Sequence, residues 1–295
     1  MIRTISSAGL KTAGLVFVSF ALVSPLAAQT DKKPAGPLLT RTIPRHETAR
    51  LQLGGTVTLS AAPTGSIVVE GWQRPEVEII ATIELQAPTA ADLDLLAAVN
   101  TFVVDQDVNH IRILTTGTHD RVFMKRVTRN FPKTLIGLPW RVDFQIKVPV
   151  LTDLTVDAGN GPIKLSGVEG AIRVNALHSD ADLSFTGGDV SVLVQSGTIN
   201  LDLPGRGWHG LGAEFRMASG NVNVGLAPGF SADINCDVLR LGEIKSTFPD
   251  LKPRESSSVS RQSMRARVGN GGATLSFTVG DGTIQITQKT QTSKP

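Results

Sequence analysis

The sequence of 295 residues has one cysteine, three tryptophans and no tyrosine. A lone cysteine excludes an internal disulfide, so an exported chain of this size must be held together by packing. Cys236 lies in Ala232-Asp233-Ile234-Asn235-Cys236-Asp237-Val238, where even positions are small or apolar, and is expected to be a buried thiol acting as a small hydrophobe. Few aromatics argue against a substrate cleft walled by rings. Charge is sparse as well: the formal net charge of +3 falls to +1 if Arg3 and Lys11 leave with a leader, which is no nucleic-acid footprint.

Motifs of the common catalytic classes are also missing. There is no Gly-x-Ser-x-Gly, and His46, His110, His119, His178 and His209 have no serine or cysteine that spacing places beside them. His178, Asp180 and Asp182 alternate and would share one side of a strand, but three ligands fall short of a zinc site and read as an outward polar turn. No catalytic residue, metal or cofactor is expected. The longest apolar run, Leu15 to Val23, is shorter than the about 20 residues of a spanning helix. With Arg3 and Lys11 before it and Ala27-Ala28 after it, residues 1–28 read as a signal peptide. The expected location is outside the cytoplasm: periplasm, cell surface or secreted.

What is abundant is one phrase, Gly-x-Ile/Val-x-Val/Ile/Leu. It occurs at Gly161-Pro162-Ile163, Gly170-Ala171-Ile172, Gly188-Asp189-Val190, Gly197-Thr198-Ile199, Gly220-Asn221-Val222 and Gly282-Thr283-Ile284, with earlier copies at Gly55 and Gly65. Each copy alternates apolar and polar residues, the signature of a strand with one buried face. Ile163, Ile172, Leu183, Val190 and Ile199 follow one another closely, and a five-residue strand plus a turn uses up the interval, with no room for a crossover helix. Successive units must then lie on different faces of a coil and stack on the coil above. The expected fold is all-β: a single-chain β-solenoid, parallel β-helix-like, built of short GxVxV repeats.

One short helix near the N-terminal end interrupts the pattern. Thr89 and Asp92 stand in capping-box spacing ahead of Leu93, Leu96 and Ala97, and the helix is expected to lie against the sheet or plug the end of the stack. The division along the chain reads as signal peptide 1–28, disordered lead-in 29–45, N-terminal strands and capping helix 46–150, β-solenoid repeats 151–288 and polar tail 289–295. Strands are expected at 51–53, 57–59, 67–71, 77–85, 101–104, 110–114 and 140–150.

Three insertions stand out from the repeats: the basic stretch 121–133, the glycine-rich loop 204–210 and the Ser- and Arg-rich loop 252–267. Insertions in repeat proteins often form the binding surface. The residues expected to bind a ligand are Trp208, whose ring beside Arg206 and His209 suits stacking on a sugar, and the cations Arg126, Arg129, Arg261 and Arg265 for anionic polymers. Asp157, Glu169, Asp182, Asp189 and Asp202 face outward or sit in turns, so a carboxylate pair for glycoside cleavage is the rival reading.

The runs Val142-Asp143-Phe144-Gln145-Ile146-Lys147-Val148-Pro149 and Leu154-Thr155-Val156-Asp157-Ala158-Gly159-Asn160-Gly161 carry a resemblance. So do Gly65 to Ile79 and Gly269 to Leu275. Over about residues 50 to 288 the chain resembles the bacterial putative-adhesin family of exported β-helical domains. The resemblance implies the solenoid fold and an adhesin-like role, and brings no catalytic motif. Leu177-His178-Ser179-Asp180-Ala181-Asp182 departs from the family pattern by lacking the usual Ser-Gly turn, and an irregular turn is expected there. The sequence thus points to a non-catalytic, envelope-associated binding or structural module. A polysaccharide-active enzyme and a self-assembling scaffold are the alternatives. The partners expected are a cell-envelope polysaccharide, another envelope protein or a second copy of the chain, with no nucleic acid and no transmembrane anchor after cleavage.

Overall fold

The computed structural model describes residues 36–127, 130–249, 251–254 and 260–289. The expected signal peptide lies outside the described residues. In chain order the first elements are β1 (Leu39–Arg50), β2 (Gly55–Ser60), β3 (Ile67–Trp72), β4 (Glu76–Ala87), α1 (Ala90–Val99), β5 (Thr101–Gln106), β6 (His110–Thr116) and α2 (Arg121–Val127). A 3-10 turn at Lys133–Leu135 precedes β7 (Trp140–Pro149), β8 (Thr152–Asn160), β9 (Ile163–Ser166), β10 (Ala171–Ser184), β11 (Gly187–Leu203) and β12 (His209–Leu226). The last are β13 (Ala232–Val238), β14 (Gly242–Ser246), β15 (Leu251–Pro253), β16 (Ser263–Val268) and β17 (Thr274–Gln288). All seventeen strands join one large mixed sheet that does not close on itself.

The repeats pair as their spacing demands. Leu154 stands opposite Ile172, which stands opposite Val190; Ile163 stands opposite Ala181, which stands opposite Ile199. A unit therefore skips its immediate successor and pairs in parallel with the one after. Two ladders result, sharing the long strands β10, β11, β12 and β17. Near the middle of each long strand the alternation changes phase. In β10 Ile172, Val174 and Ala176 point inward, then Leu177 and His178 are both exposed, then Ser179, Ala181 and Leu183 are buried. That double outward step is where the strand passes from one ladder to the other. Inward side chains of both ladders meet in a single apolar core, within which the rings of Phe215 and Phe277 stack at 5.3 Å.

The early copies belong to the same ladders. Val57 pairs with Leu154, and Ile67 with Ile163. A boundary at 150/151 thus cuts through continuous pairing, and residues 73–150 are an insertion between one step of the ladder and the next. A second insertion carries β13 to β16, between β12 and β17.

Several expectations are corrected. Residues 39–45 are part of β1, whose whole length pairs antiparallel with β4. Its sequence shows weak alternation because it is an outer strand, where Pro44 is tolerated. Residues 51–53 form no strand; they turn between β1 and β2. The stretch 252–267 is, at its described ends, not a loop: β15 and β16 pair antiparallel, and β16 pairs with β13. The expected irregular turn is also absent, because Ser179 pairs in register with Gly197 and the neighbours on its C-terminal side follow suit. Helix α1 forms with Thr89 as N-cap, and its buried face of Leu93, Leu96 and Val99 packs on β4 and β1.

Candidate functional site

Between Asp120 and Asp143 the sequence has no acidic residue. With Pro63, Thr64, Thr118 and His119 this stretch lines a cleft of about 1030 Å³. Its base is set where β6 ends. A Cβ on Gly117 would come within 2.4 Å of Asn100 Oδ1 and 2.8 Å of the Trp140 ring, so only glycine lets the three groups meet. Asn100, fully buried, accepts the Thr118 backbone N–H at 2.8 Å and so holds the start of the insertion to the end of α1. Asp120 then accepts the backbone N–H groups of Val122 and Phe123 at 2.8 and 3.0 Å and starts α2. Those bonds hold its carboxyl below the usual range.

Helix α2 buries Met124, and the 3-10 turn buries Leu135. Phe131, Leu138 and Trp140 are half-buried against the core, and Ile136 is 51% exposed. These side chains make an apolar floor. Arg121, Lys125 and Lys133 stand on the rim, all exposed, and none has a carboxylate partner among the described residues. His119 lies against Trp140, with ring centres 5.3 Å apart. Loss of water on that face pushes its pKa down, opposed in part by Asp120, while its other edge stays exposed.

The residues expected to bind fall elsewhere. Trp208 is only 8% exposed; its indole N–H donates to Gly188 O at 3.0 Å and its ring packs edge-on to Phe185. The expectation of a sugar-stacking ring is therefore corrected: its polar atom is satisfied internally and its faces lie in the core. Arg206 and His209 beside it are exposed. Arg265 donates to Asp237 at 2.8 Å, and Arg261 to Glu243 at 2.7 Å, so these two cations are neutralised across their own ladder. Arg126 is exposed on α2 but does not line the cleft. Arg129 lies outside the described residues.

Three of the outward carboxylates are held by neighbouring steps of the ladder, while Asp189 is exposed with no side-chain partner among the described residues. Asp157 accepts from Asn175, Asp182 from Asn200 and Glu169 from Thr186, at 2.8, 2.9 and 2.6 Å. Asp182 and Asp202 share a shallow groove of about 360 Å³ with no aromatic in its lining, and Asp202 is paired with Lys289 at 2.7 Å. His178 meets Ser196 Oγ at 2.9 Å. No group of three or more His, Cys, Asp or Glu gathers in metal-binding fashion among the described residues. Cys236 is fully buried, and burial, helped by Asp237, pushes its pKa up to about 12.

In the sequence, Trp140 stands only as the first residue of an alternating strand, and the basic stretch has no apolar partner that spacing assigns to it. The signal available was the acid-free run itself, in which Phe131, Leu135, Ile136, Leu138 and Trp140 follow the cations.

No protein-family model matches the sequence, and no curated protein does. Among solved structures, the chain is similar to a "putative cell adhesion protein" from Clostridium sporogenes, with 12% identity and a TM-score of 0.42 over 84% of this chain and 100% of that one. A "putative adhesin" from Bacteroides fragilis gives 13% identity and a TM-score of 0.31 over 84% and 97%. A "putative lipid binding protein" from Parabacteroides distasonis gives 10% and 0.19 over the same shares.

Proposed function

We propose that the chain is an exported, non-catalytic, adhesin-like binding module of the cell envelope, with a β-solenoid body and one recognition cleft. Parallel pairing of every second repeat supports reading the ladders as coils of two strands each. The leader-like residues 1–28 and the phrases that resemble the putative-adhesin family support export and an envelope role. The observation that carries the reading is the contrast in charge. Arg254, Arg261, Arg265 and Arg267 are paired with Asp233, Asp237 and Glu243, whereas Arg121, Lys125 and Lys133 are exposed beside apolar side chains and have no carboxylate partner among the described residues. Open cations beside exposed apolar surface mark a place for recognition.

The test is to mix the exported protein with peptidoglycan, lipopolysaccharide and acidic and neutral polysaccharides, then record co-sedimented protein and newly released sugar ends. Retention without release is expected. Release would overturn the reading in favour of a polysaccharide-active enzyme. Concentration-dependent filaments without retention would favour a self-assembling scaffold.

A further inference from the structure

The cleft beside Trp140 has a chemistry more specific than a general basic patch. Its three cations are exposed, whereas Met124 is buried and Phe131, Leu138 and Trp140 are half-buried, so charge is offered at the surface and apolar contact mostly at depth. A saccharide would present hydroxyl groups throughout, and Met124, Phe131, Ile136, Leu138 and Trp140 offer them no side-chain hydrogen-bond partner but the indole N–H, leaving Thr64, Thr118 and His119 as the uncharged polar side chains of the lining. A nucleic acid would need a basic surface extending beyond the cleft, yet Arg261, Arg265 and Arg267 are neutralised by partners of their own. A folded protein partner would be expected to meet a broader face, whereas this is a concavity at the upper end of the about 300–1000 Å³ usual for small ligands.

We propose that the cleft binds a single acyl chain ending in an anionic head, with the chain on the Met124–Trp140 floor and the head between Arg121, Lys125 and Lys133. Charge complementarity selects this occupant. No carboxylate lines the cleft, so nothing there repels an anion, and none of the three rim cations has an acidic partner among the described residues. The apolar floor supplies affinity that grows with chain length, by about fourfold for each methylene fully buried. The rim supplies selection for charge through charge-assisted hydrogen bonds. Ile136, 51% exposed at the cleft, would lose that exposure on binding. The proposal rests on the reading of the protein as an envelope binding module, since acyl anions are what such a module meets at a membrane.

Calorimetry with decanoate, dodecanoate and tetradecanoate, each kept below its aggregation concentration, tests it on the exported protein. The expected result is saturable one-to-one binding that tightens at least about tenfold from ten to fourteen carbons, as partial burial of four methylenes requires. Tetradecanol, which keeps the chain and lacks the charge, should bind at least about tenfold more weakly. Lys125→Glu/Lys133→Glu should lose about tenfold or more for tetradecanoate, while Arg173→Glu, an exposed cation on β10, should not. Both variants change exposed side chains, and an unchanged thermal melt confirms folding. Equal affinity for tetradecanol, no dependence on chain length, or no effect of the double reversal would overturn the proposal. So would binding to anionic phospholipid vesicles without saturable binding of monomeric tetradecanoate, which would mean surface adsorption. Sedimentation with envelope polymers, run in parallel, separates the two levels. Retention without acyl binding sinks this assignment alone, and failure of both sinks the module reading too.

Discussion

Single residues carry much of the architecture at the corner between the two ladders. Gly197, Gly220 and Gly282 pair in register there, and Gly220 has φ +137° with its missing Cβ position 2.0 Å from Gly197 O. A side chain would both strain the backbone and collide with the neighbouring main chain, which cannot move without breaking its own pairing. Gly220→Ala should therefore lower unfolding free energy by about 3 kcal/mol or more, read from urea titration. Ser179 occupies the equivalent corner one step earlier, buried and with its hydroxyl lacking a partner. A different residue-scale effect belongs to His119. Its pKa is lowered from 6.5 in the fold, so below that value the unfolded chain takes up the proton more readily. Stability should fall as pH drops from 7 towards 5.5, and His119→Gln should flatten that part of the melting-temperature profile. An unchanged slope in the variant would contradict the partial desolvation of His119 beside Trp140.

At the scale of elements, legibility followed how local the cause was. The repeat strands were readable because alternation and spacing are written within each unit. Helix α1 was readable for the same reason: Thr89 Oγ1 accepts the Asp92 backbone N–H at 3.1 Å and donates to the Asp92 carboxylate at 2.7 Å. Thr89→Ala should cost about 1 kcal/mol in urea unfolding, and a neutral substitution would show that tertiary packing alone holds the helix. Strand β1 was not readable, because residues such as Arg41, Thr42 and Arg45 gain their order from the length of β4 opposite. Nor was the 252–267 region. Its arginines find Asp233 and Asp237 across an antiparallel pairing about 30 residues away, and no spacing within the segment announces that. Trp208 failed likewise: glycines on both sides suggested an open loop, while its burial depends on Phe185 and Gly188 from the preceding step of the ladder.

At the scale of the molecule, the ladder is interrupted by two insertions, and the basic stretches within them differ in how their charge is met. The later one pairs Lys245, Arg254, Arg261, Arg265 and Arg267 with its own acids and extends the sheet through β13 to β16. Within the earlier one, Arg121, Lys125 and Lys133 are exposed beside an apolar hollow, and the reason is written in the local composition, since no acid lies between Asp120 and Asp143 to pair with them. A sequence shows that deficit, but only the fold sets Trp140, at the head of β7, across the same cleft from Lys125 on α2. On the proposed reading the body serves as a mount, with Asp157, Glu169 and Asp182 tied up between successive steps, and recognition belongs to the cleft. The measurement that tests this most directly is co-sedimentation of the wild-type protein and Lys125→Glu/Lys133→Glu with isolated cell envelopes, scored for bound protein and released sugar ends. The account predicts that the wild type is retained without release and that the variant, equally folded, stays in solution; equal retention of both, or release of sugar ends by the wild type, would contradict it.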